Sequence, residues 1–590
     1  DLSATSGGFG GVLDNGDRFG AAVARIGDLN GDGIRDLVVG ARGDDDGGAN
    51  RGAVYVLFLD ASGAVSAEQK ISATTGGLGA VLDDGDQFGA AVSGLGDVDG
   101  DGVRELVVGA VYDDDGGTDR GAVYVLFMNR TGTVWSAAKI SDTSGGLVSP
   151  LDNGDWFGSS LARVGDLNGD GIEDLAVGAM GDDDGNPDAG AVYLLFLTDV
   201  AGIYREQKLS ATSGGLSASL DASDYLGQAV AGLGDLDGDG TIGLAIGARG
   251  DDDGGANRGA VHVVDLAPPC ADSDNDGLCD VDEDADSDLD GNPATNPGPD
   301  HDGDALVDYL DADDDGDGIV TADESPDPDG DGDPRDAYDN DRDGVADYLD
   351  PATGPTRGGI ATAGRIGSGV GGFAGVLSDG DQFGSSVTAI GDLDGDGVVD
   401  LLVGVPKDDE GGIAGSDRGG LYVVFLNADG TVKTEQKLAS LTGGYTGVLD
   451  SSSMLGASVT AIGDVDGDGH NEVAVGIPRD DNGTGVTTAN YGAVEILSLN
   501  ADGTIRTEQT ISPGNGGLGS VLDPGDLFGS SVAGTGDLDG DGIGDLVVGA
   551  PGDDDGDTDR GALYVLLLNA DGTVKATQKL SDTEGGLFAT

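Results

Sequence analysis

The stretch Asp28-Leu29-Asn30-Gly31-Asp32-Gly33-Ile34-Arg35-Asp36, followed at once by Leu37-Val38-Val39, decides how the rest of the chain reads. Oxygen-bearing side chains stand at its positions 1, 3, 5 and 9, a backbone carbonyl is available at position 7, and glycine occupies position 6. Ca²⁺ takes six to eight oxygens at about 2.3–2.6 Å, and a glycine lets a short backbone fold around it. The stretch therefore predicts a calcium loop opening into a buried strand, with Asp28, Asn30, Asp32, the Ile34 carbonyl and Asp36 as candidate ligands.

The pattern recurs six times. Asp97, Asp99, Asp101, Val103 and Glu105 form the second set, and Asp166, Asn168, Asp170, Ile172 and Asp174 the third. Asp235, Asp237, Asp239 and Thr241 form the fourth. The fifth comprises Asp392, Asp394, Asp396, Val398 and Asp400, and the sixth Asp464, Asp466, Asp468, His470 and Glu472. Asp537, Asp539, Asp541, Ile543 and Asp545 complete the series. The loops start at 28, 97, 166 and 235, a period of 69, and then at 392, 464 and 537. One match carries little weight, whereas seven at a regular period specify a repeat architecture.

Each unit reads alike. An apolar segment, Phe19-Gly20-Ala21-Ala22-Val23-Ala24-Arg25-Ile26, leads into the loop, and a second strand spans 36–41. An acidic, glycine-rich loop over 43–52 precedes the strand Ala53-Val54-Tyr55-Val56-Leu57-Phe58-Leu59. A turn at Ala61-Ser62-Gly63 then leads to a polar strand, Glu68-Gln69-Lys70-Ile71-Ser72. Three apolar antiparallel strands and a polar fourth describe one propeller blade with an exposed outer edge. The expected fold is all-β, a seven-bladed β-propeller of four-stranded antiparallel blades. A rival arrangement is two incomplete propellers joined by a linker, and contact between the first and seventh blades distinguishes the two.

Composition narrows the function classes. With 111 acids against 28 bases the formal charge is -83, which excludes a nucleic-acid binder driven by phosphate contacts and disfavours anionic lipid. Aromatics make up 5% of the chain, yet the acids fall at ligand spacing between apolar runs, so order conditional on metal fits better than disorder. No apolar run approaches the roughly 20 residues of a membrane span. The chain opens at Leu2-Ser3-Ala4-Thr5-Ser6-Gly7-Gly8 and closes at Leu580-Ser581-Asp582-Thr583-Glu584-Gly585-Gly586, the same part of the repeat, so part of a larger polypeptide is expected.

The repeats occupy 1–267 and 358–590, and an insert without strand pattern occupies 268–357. Residues 271–350 hold 31 Asp/Glu against two Arg. Three segments fit a twelve-residue calcium loop with a carboxylate at position 12. Their candidate ligands are Asp272, Asp274, Asp276, Leu278 and Glu283; Asp313, Asp315, Asp317, Ile319 and Glu324; and Asp339, Asp341, Asp343, Val345 and Asp350. The two cysteines, Cys270 and Cys279, flank the first of these segments. That placement fits a disulfide in an oxidising compartment better than a thiolate metal site, which needs more soft ligands.

With these elements in place, the repeats resemble the FG-GAP repeats of integrin α-subunit propellers. The Phe-Gly element stands at Phe19-Gly20, Phe88-Gly89, Phe157-Gly158, Phe383-Gly384 and Phe528-Gly529, and is weakened to Leu226-Gly227 and Leu455-Gly456. Gly-Ala-Pro is literal at Gly549-Ala550-Pro551 and altered elsewhere, as at Gly404-Val405-Pro406. The resemblance implies seven blades with calcium in the loop joining strands 1 and 2. Against it, Gly243 stands where the fourth loop needs its last carboxylate, so that site is expected to be weaker or empty, and Glu105 and Glu472 put a longer arm in that place. The insert resembles thrombospondin type 3 repeats.

Other motifs read more simply. The acidic loops, such as Asp44-Asp45-Asp46-Gly47-Gly48, fall on the face opposite the calcium loops, where a protein or glycan partner or a solvated rim is expected. Arg51, Arg120, Arg258, Arg418 and Arg560 precede third strands and are expected to pair with those acids. Arg42-Gly43-Asp44 and Arg249-Gly250-Asp251 spell an adhesion tripeptide but read as repeat-loop accidents. His262, His301 and His470 form no cluster, no nucleophilic triad can be assembled, and the carboxylate pairs are claimed by metal, so no enzyme activity is expected. The functional expectation is a secreted or cell-surface calcium-stabilised adhesion or structural module. The alternative is a carbohydrate-binding or carbohydrate-active propeller, a lectin or lyase, which would need exposed aromatics clustered on one face.

Overall fold

The computed structural model describes residues 9–266 apart from 80–81, 215, 217–219 and 239, and residues 360–581 apart from 410–415, 448, 468, 482–488, 520–521 and 556. The insert, with its candidate loops and both cysteines, lies outside the described residues, as do Asp239 and Asp468.

The first repeat folds into β1 (Phe19–Gly27), β2 (Asp36–Ala41), β3 (Ala53–Leu59) and β4 (Val65–Ile71), an antiparallel sheet in sequence order. Every residue of β2 and β3 is buried, as unbroken apolar runs require when both faces of a strand are covered. The fourth strand begins earlier than its polar residues suggest, because Val65 is buried and pairs with Leu59. The second blade holds β5 (Phe88–Gly94), β6 (Leu106–Ala110), β7 (Ala122–Met128) and β8 (Val134–Ile140). The third holds β9 (Phe157–Gly165), β10 (Asp174–Ala179), β11 (Ala191–Leu197) and β12 (Ile203–Leu209), and the fourth β13 (Leu226–Asp235), β14 (Ile242–Ala248), β15 (Ala260–Leu266) and β16 (Ile360–Gly367). The fifth comprises β17 (Ser386–Gly391), β18 (Asp400–Val405), β19 (Gly420–Leu426) and β20 (Val432–Leu438). The sixth comprises β21 (Ser458–Gly463), β22 (Glu472–Ile477), β23 (Ala493–Leu499) and β24 (Ile505–Ile511), and the seventh β25 (Ser531–Gly536), β26 (Asp545–Ala550), β27 (Ala562–Leu568) and β28 (Val574–Leu580).

Alternation along the strands divides the core into layers between blades. Val38, Val54 and Val56 pack with Val108 and Tyr124 of the second blade. Leu37, Val39 and Tyr55, pointing the other way, pack with Val547, Leu563 and Val565 of the seventh. Parallel bridges join Gly52 to Phe88 and repeat at each junction, ending with Gly561 to Phe19. The blades therefore close into one seven-bladed ring, which overturns the two-propeller alternative. The junctions need glycine: a Cβ at Gly52, whose φ is +84°, would lie 2.1 Å from the Phe88 carbonyl oxygen. The Phe of each Phe-Gly pair seats its ring against the tyrosine of the third strand, at 5.2 Å for Phe19 and Tyr55 and 5.3 Å for Phe88 and Tyr124.

The long insert interrupts a single blade, because β16 pairs with β15 across it. The turn between third and fourth strands lies at the calcium-loop end of a blade, where the Leu59 N–H meets Asp36. The insert thus springs from the calcium-loop face, and not from the face of the acidic loops.

Candidate metal centre

Each loop is wound around its first aspartate. Asp28 accepts hydrogen bonds from the N–H groups of Gly31, Asp32 and Gly33 at 2.7, 3.0 and 2.8 Å, and Asp32 accepts from Ile34 at 2.8 Å. The same winding recurs around Asp166, Asp392 and Asp537. In the second loop Gly102 donates to Asp97 at 2.8 Å, and in the sixth Gly467 and Gly469 donate to Asp464. The ninth-position carboxylate has a second duty. Asp36 is fully buried and accepts from Leu29 at 2.9 Å and from Leu59, on β3, at 3.4 Å. Asp174, Asp400 and Asp545 repeat both bonds, so this residue ties the loop to two strands, and Asp400 and Asp545 also cluster with loop carboxylates. Glu105 and Glu472 reach Val98 and Val465 at 2.7 and 2.6 Å.

The donor set fits a hard cation. Three carboxylate atoms lie within 4.8 Å of one another in Asp97, Asp99 and Asp101; in Asp392, Asp394 and Asp400; in Asp464, Asp466 and Glu472; and in Asp537, Asp539 and Asp545. Glu105 Oε1 and Asp394 Oδ1 are buried atoms without a hydrogen-bond partner. Burial, with the neighbouring carboxylates adding to it, pushes Glu105 up to about 8, Asp36 and Asp400 to about 7 and Asp174 to about 8. Such sites favour a positive charge among them. The first and third loops carry Asn30 and Asn168 at the third position, each donating to the fifth-position aspartate at 3.0 and 2.9 Å. The fourth loop differs most: β13 runs on through Asp235, which pairs with Ile242, and a Cβ at Gly243 would sit 3.2 Å from that of Leu233.

Basic residues that the sequence did not single out stand beside three loops. Lys433 Nζ lies 2.7 and 2.5 Å from Asp394 and Asp396, and Lys575 Nζ lies 2.5 and 2.7 Å from Asp539 and Asp541. Arg506 contacts Asp466. All three occupy the second position of a fourth strand, where β4 and β8 carry Ser66 and Trp135.

On the opposite face the acids divide into a buried and an exposed set. Asp44 is 1% exposed and pairs with Lys70 Nζ at 2.6 Å, while Asp46 meets the same ammonium at 2.8 Å. Lys139, Lys208 and Lys579 hold the equivalent acids, Lys437 holds Asp408 at 2.5 Å, and Arg365 does so in the fourth blade. Of each acidic triplet in the first four blades, the exposed member is the middle one, as at Asp45. Four of the arginines before the third strands reach partners other than these triplets. Arg51 and Arg258 instead reach Asp84 and Asp379 in the turn of the next blade, at 2.8 and 3.0 Å, and Arg560 reaches Asn15 across the ring closure at 3.1 Å. Arg120 bonds Asp142 and Asn153. Both Arg-Gly-Asp tripeptides end in buried aspartates, Asp44 and Asp251, which removes them as adhesion sites. The lysine that recurs near the end of five of the seven fourth strands was the available signal for these clusters.

A ring of seven four-stranded blades with an acidic loop between the first and second strand of each defines a repeat β-propeller with candidate cation loops on one face. Residues 19–57, 88–126, 157–195 and 528–566, four of the seven repeats, match the FG-GAP repeat family, which together with the fold supports an integrin-α-like β-propeller. It is 35% identical over 177 residues to integrin alpha-PS5 of Drosophila melanogaster, covering 29% of this chain and 15% of that protein. It is 33% identical over 201 residues to integrin alpha-3 of Cricetulus griseus, 34% of this chain and 16% of that one. With integrin alpha-IIb of Homo sapiens the identity is 36% over 170 residues, 28% and 15% of the two chains. The matches thus span about one sixth of the length of these relatives.

Proposed function

We propose that this chain is a calcium-fastened propeller of a larger secreted or cell-surface protein, serving adhesion or holding neighbouring modules in place. The observation that carries the reading is the ninth-position carboxylate: in the fifth and seventh loops one buried side chain clusters with two loop carboxylates and tethers the loop to two strands. A cation bound there would stiffen the whole blade. Asp28, Asn30, Asp32, the Ile34 carbonyl and Asp36 would hold it in the first blade, with equivalents in the others and the weakest site in the fourth. When bound, calcium supplies the positive charge that these buried carboxylates lack.

The domain division at 268–357, the three calcium loops proposed within it and the Cys270–Cys279 bridge extend this reading to the insert. A protein or glycan partner is then met by the acidic-loop face or by the insert. No helix among the described residues is long and apolar enough to cross a membrane. The carbohydrate alternative gains no support: Trp135 stands against Phe127 on a fourth strand, whereas Trp156 packs on Tyr112 at the turn entering the third blade, so the tryptophans do not share a surface. A calorimetric calcium titration of the full chain tests the proposal. It predicts several sites per chain, and a titration without binding heat, together with metal-free protein by mass spectrometry, would refute it.

A further inference from the structure

At the axis on the calcium-loop side, one arc of the ring is positive, although the chain carries 111 acids against 28 bases. First strands of neighbouring blades pack on one another around the whole ring, so their ends surround the axis. Where the eighth residue of a loop has a long side chain, it leans back over the glycine that precedes the loop of the blade before. A Cβ at Gly27 would lie 2.9 Å from Arg104 Cδ, one at Gly96 2.9 Å from Glu173 Cδ, and one at Gly391 3.3 Å from Asn471 Nδ2. Arg35 does the same across the ring closure, its Nη1 donating to the Thr535 carbonyl at 3.1 Å.

Arg25 and Arg163 join Arg35 and Arg104 on that arc. They stand two residues before Gly27 and Gly165, at a position that is glycine or alanine in the other five blades. All four arginines are exposed. One carboxylate answers them, since Arg163 Nη1 lies 3.2 Å from Glu173. The side chains of Arg25 and Arg104 have neither a hydrogen bond nor an ion pair among the described residues. The aspartates that open the first two loops are committed to those loops, Asp28 accepting from Gly31, Asp32 and Gly33 and Asp97 from Gly102. Partial desolvation and then two positive neighbours, Arg35 and Arg163, hold the Arg25 guanidinium below its ordinary range. By contrast, each of Lys70, Lys139, Lys208 and Lys579 on the opposite face meets two carboxylates. The rest of the mouth is neutral, because Ile242, Val399, Asn471 and Gly544 take the eighth position in the last four blades.

We propose that Arg25, Arg35 and Arg104 bind a compact oxyanion at the calcium-loop mouth of the ring, while Arg163 is held aside by Glu173. A guanidinium offers a rigid fork of N–H donors that matches sulfate, phosphate and carboxylate alike. Arg104 lies over Gly27, two residues from Arg25, and Arg35 acts on Arg25 from the other side, so the three forks share one place. A long polyanion is excluded, because the aspartates of the calcium loops surround the mouth and repel it. Sulfate in solution and adjacent carboxylates on a partner's peptide chain have the same chemistry here. The site uses none of the proposed calcium ligands and stands apart from them.

The test is calorimetric titration of the full chain with sodium sulfate and with an end-blocked diglutamate peptide, at saturating calcium and constant ionic strength. At least one of the two should bind: sulfate would mark a site for a free anion, and the peptide a site for a partner's carboxylates. Arg25→Ala and Arg104→Val install what the repeat itself carries at Ala389 and Val399, so the blades should still form. Each should weaken the binding at least about tenfold, since hydrogen bonds to a charged group are lost. The calcium titration of both variants should match that of the unaltered chain, which separates loss of this site from failure of the calcium loops. Should a variant misfold, crystals of the unaltered chain soaked with selenate or with the peptide should show it beside Arg25 and Arg104. Binding of neither sulfate nor peptide would overturn the proposal. Binding that both variants retain in full would also overturn it, by placing the anion elsewhere.

Discussion

Replacing Lys208 by methionine isolates the cluster that stitches the outer strand of a blade to its acidic loop. Lys208 is 8% exposed, its Nζ lies 2.7 Å from both Asp182 and Asp184, and it stands 5.1 Å from the centre of the Tyr193 ring. Asp182 is 1% exposed, as is Asp155 nearby, so loss of the ammonium leaves two buried carboxylates facing each other. Methionine keeps the apolar stem and most of the volume, which confines the change to charge. Removing one partner of a buried ion pair costs about 3–5 kcal/mol. Urea unfolding at fixed, saturating calcium should show a loss of that size for Lys208→Met. Adding Asp182→Asn should recover part of it, because the uncompensated charge is then gone. A loss below about 1 kcal/mol, the level of a surface pair, would refute the account of this cluster, and so would a double variant no better than the single one.

At saturating calcium, stability should fall as pH rises. Burial pushes Asp17, Asp86, Asp155 and Asp224 up to about 7, against about 3.9 in an unfolded chain. The folded state therefore keeps these protons longer, and the stability they confer is complete below about pH 4 and lost as pH passes through about 7; a urea midpoint that rises between pH 5 and 8 would contradict this. Gly52→Ala places a Cβ 2.1 Å from the Phe88 carbonyl oxygen at a positive φ, and should lower the melting temperature more than Gly33→Ala, which meets nothing within 4 Å. Equal effects would show that the blade junction is not tightly constrained. Lys433→Ser and Lys575→Ser should tighten calcium binding at the fifth and seventh loops, since each ammonium competes for two loop carboxylates; unchanged calorimetric affinity would show that these lysines stand aside.

The repeat and its strands were legible because both periodicities lay in the open. Leu37-Val38-Val39 and the run from Val54 to Leu59 show no alternation, which marks strands covered on both faces, and the loop acids recur at ligand spacing. Closure was not legible, since it rests on a bridge between Gly561 and Phe19, more than 500 residues apart. Nor was the state of the acidic loops. Asp44, Asp45 and Asp46 are identical in sequence, yet Asp44 is buried against Lys70 and Asp45 is exposed, a difference set by how the loop folds onto the fourth strand. Arg51 likewise turns to Asp84 of the next blade, because its own acids are already held by Lys70. Even so, the chain contained a hint: Leu226 and Leu455, the two departures from Phe-Gly, stand in the two blades whose third-strand tyrosine is replaced, by His262 and Glu495.

Calcium as the fastener of the blades is tested most directly by thermal unfolding of the full chain with calcium and with chelator. A site held at ten times its dissociation constant adds about 1.4 kcal/mol, and seven add roughly 10 kcal/mol. For a ring of this size, with an unfolding entropy of about 2.1 cal/mol/K per residue, that corresponds to a melting temperature about 10 °C higher in calcium. Superimposable melts in calcium and chelator would contradict the account.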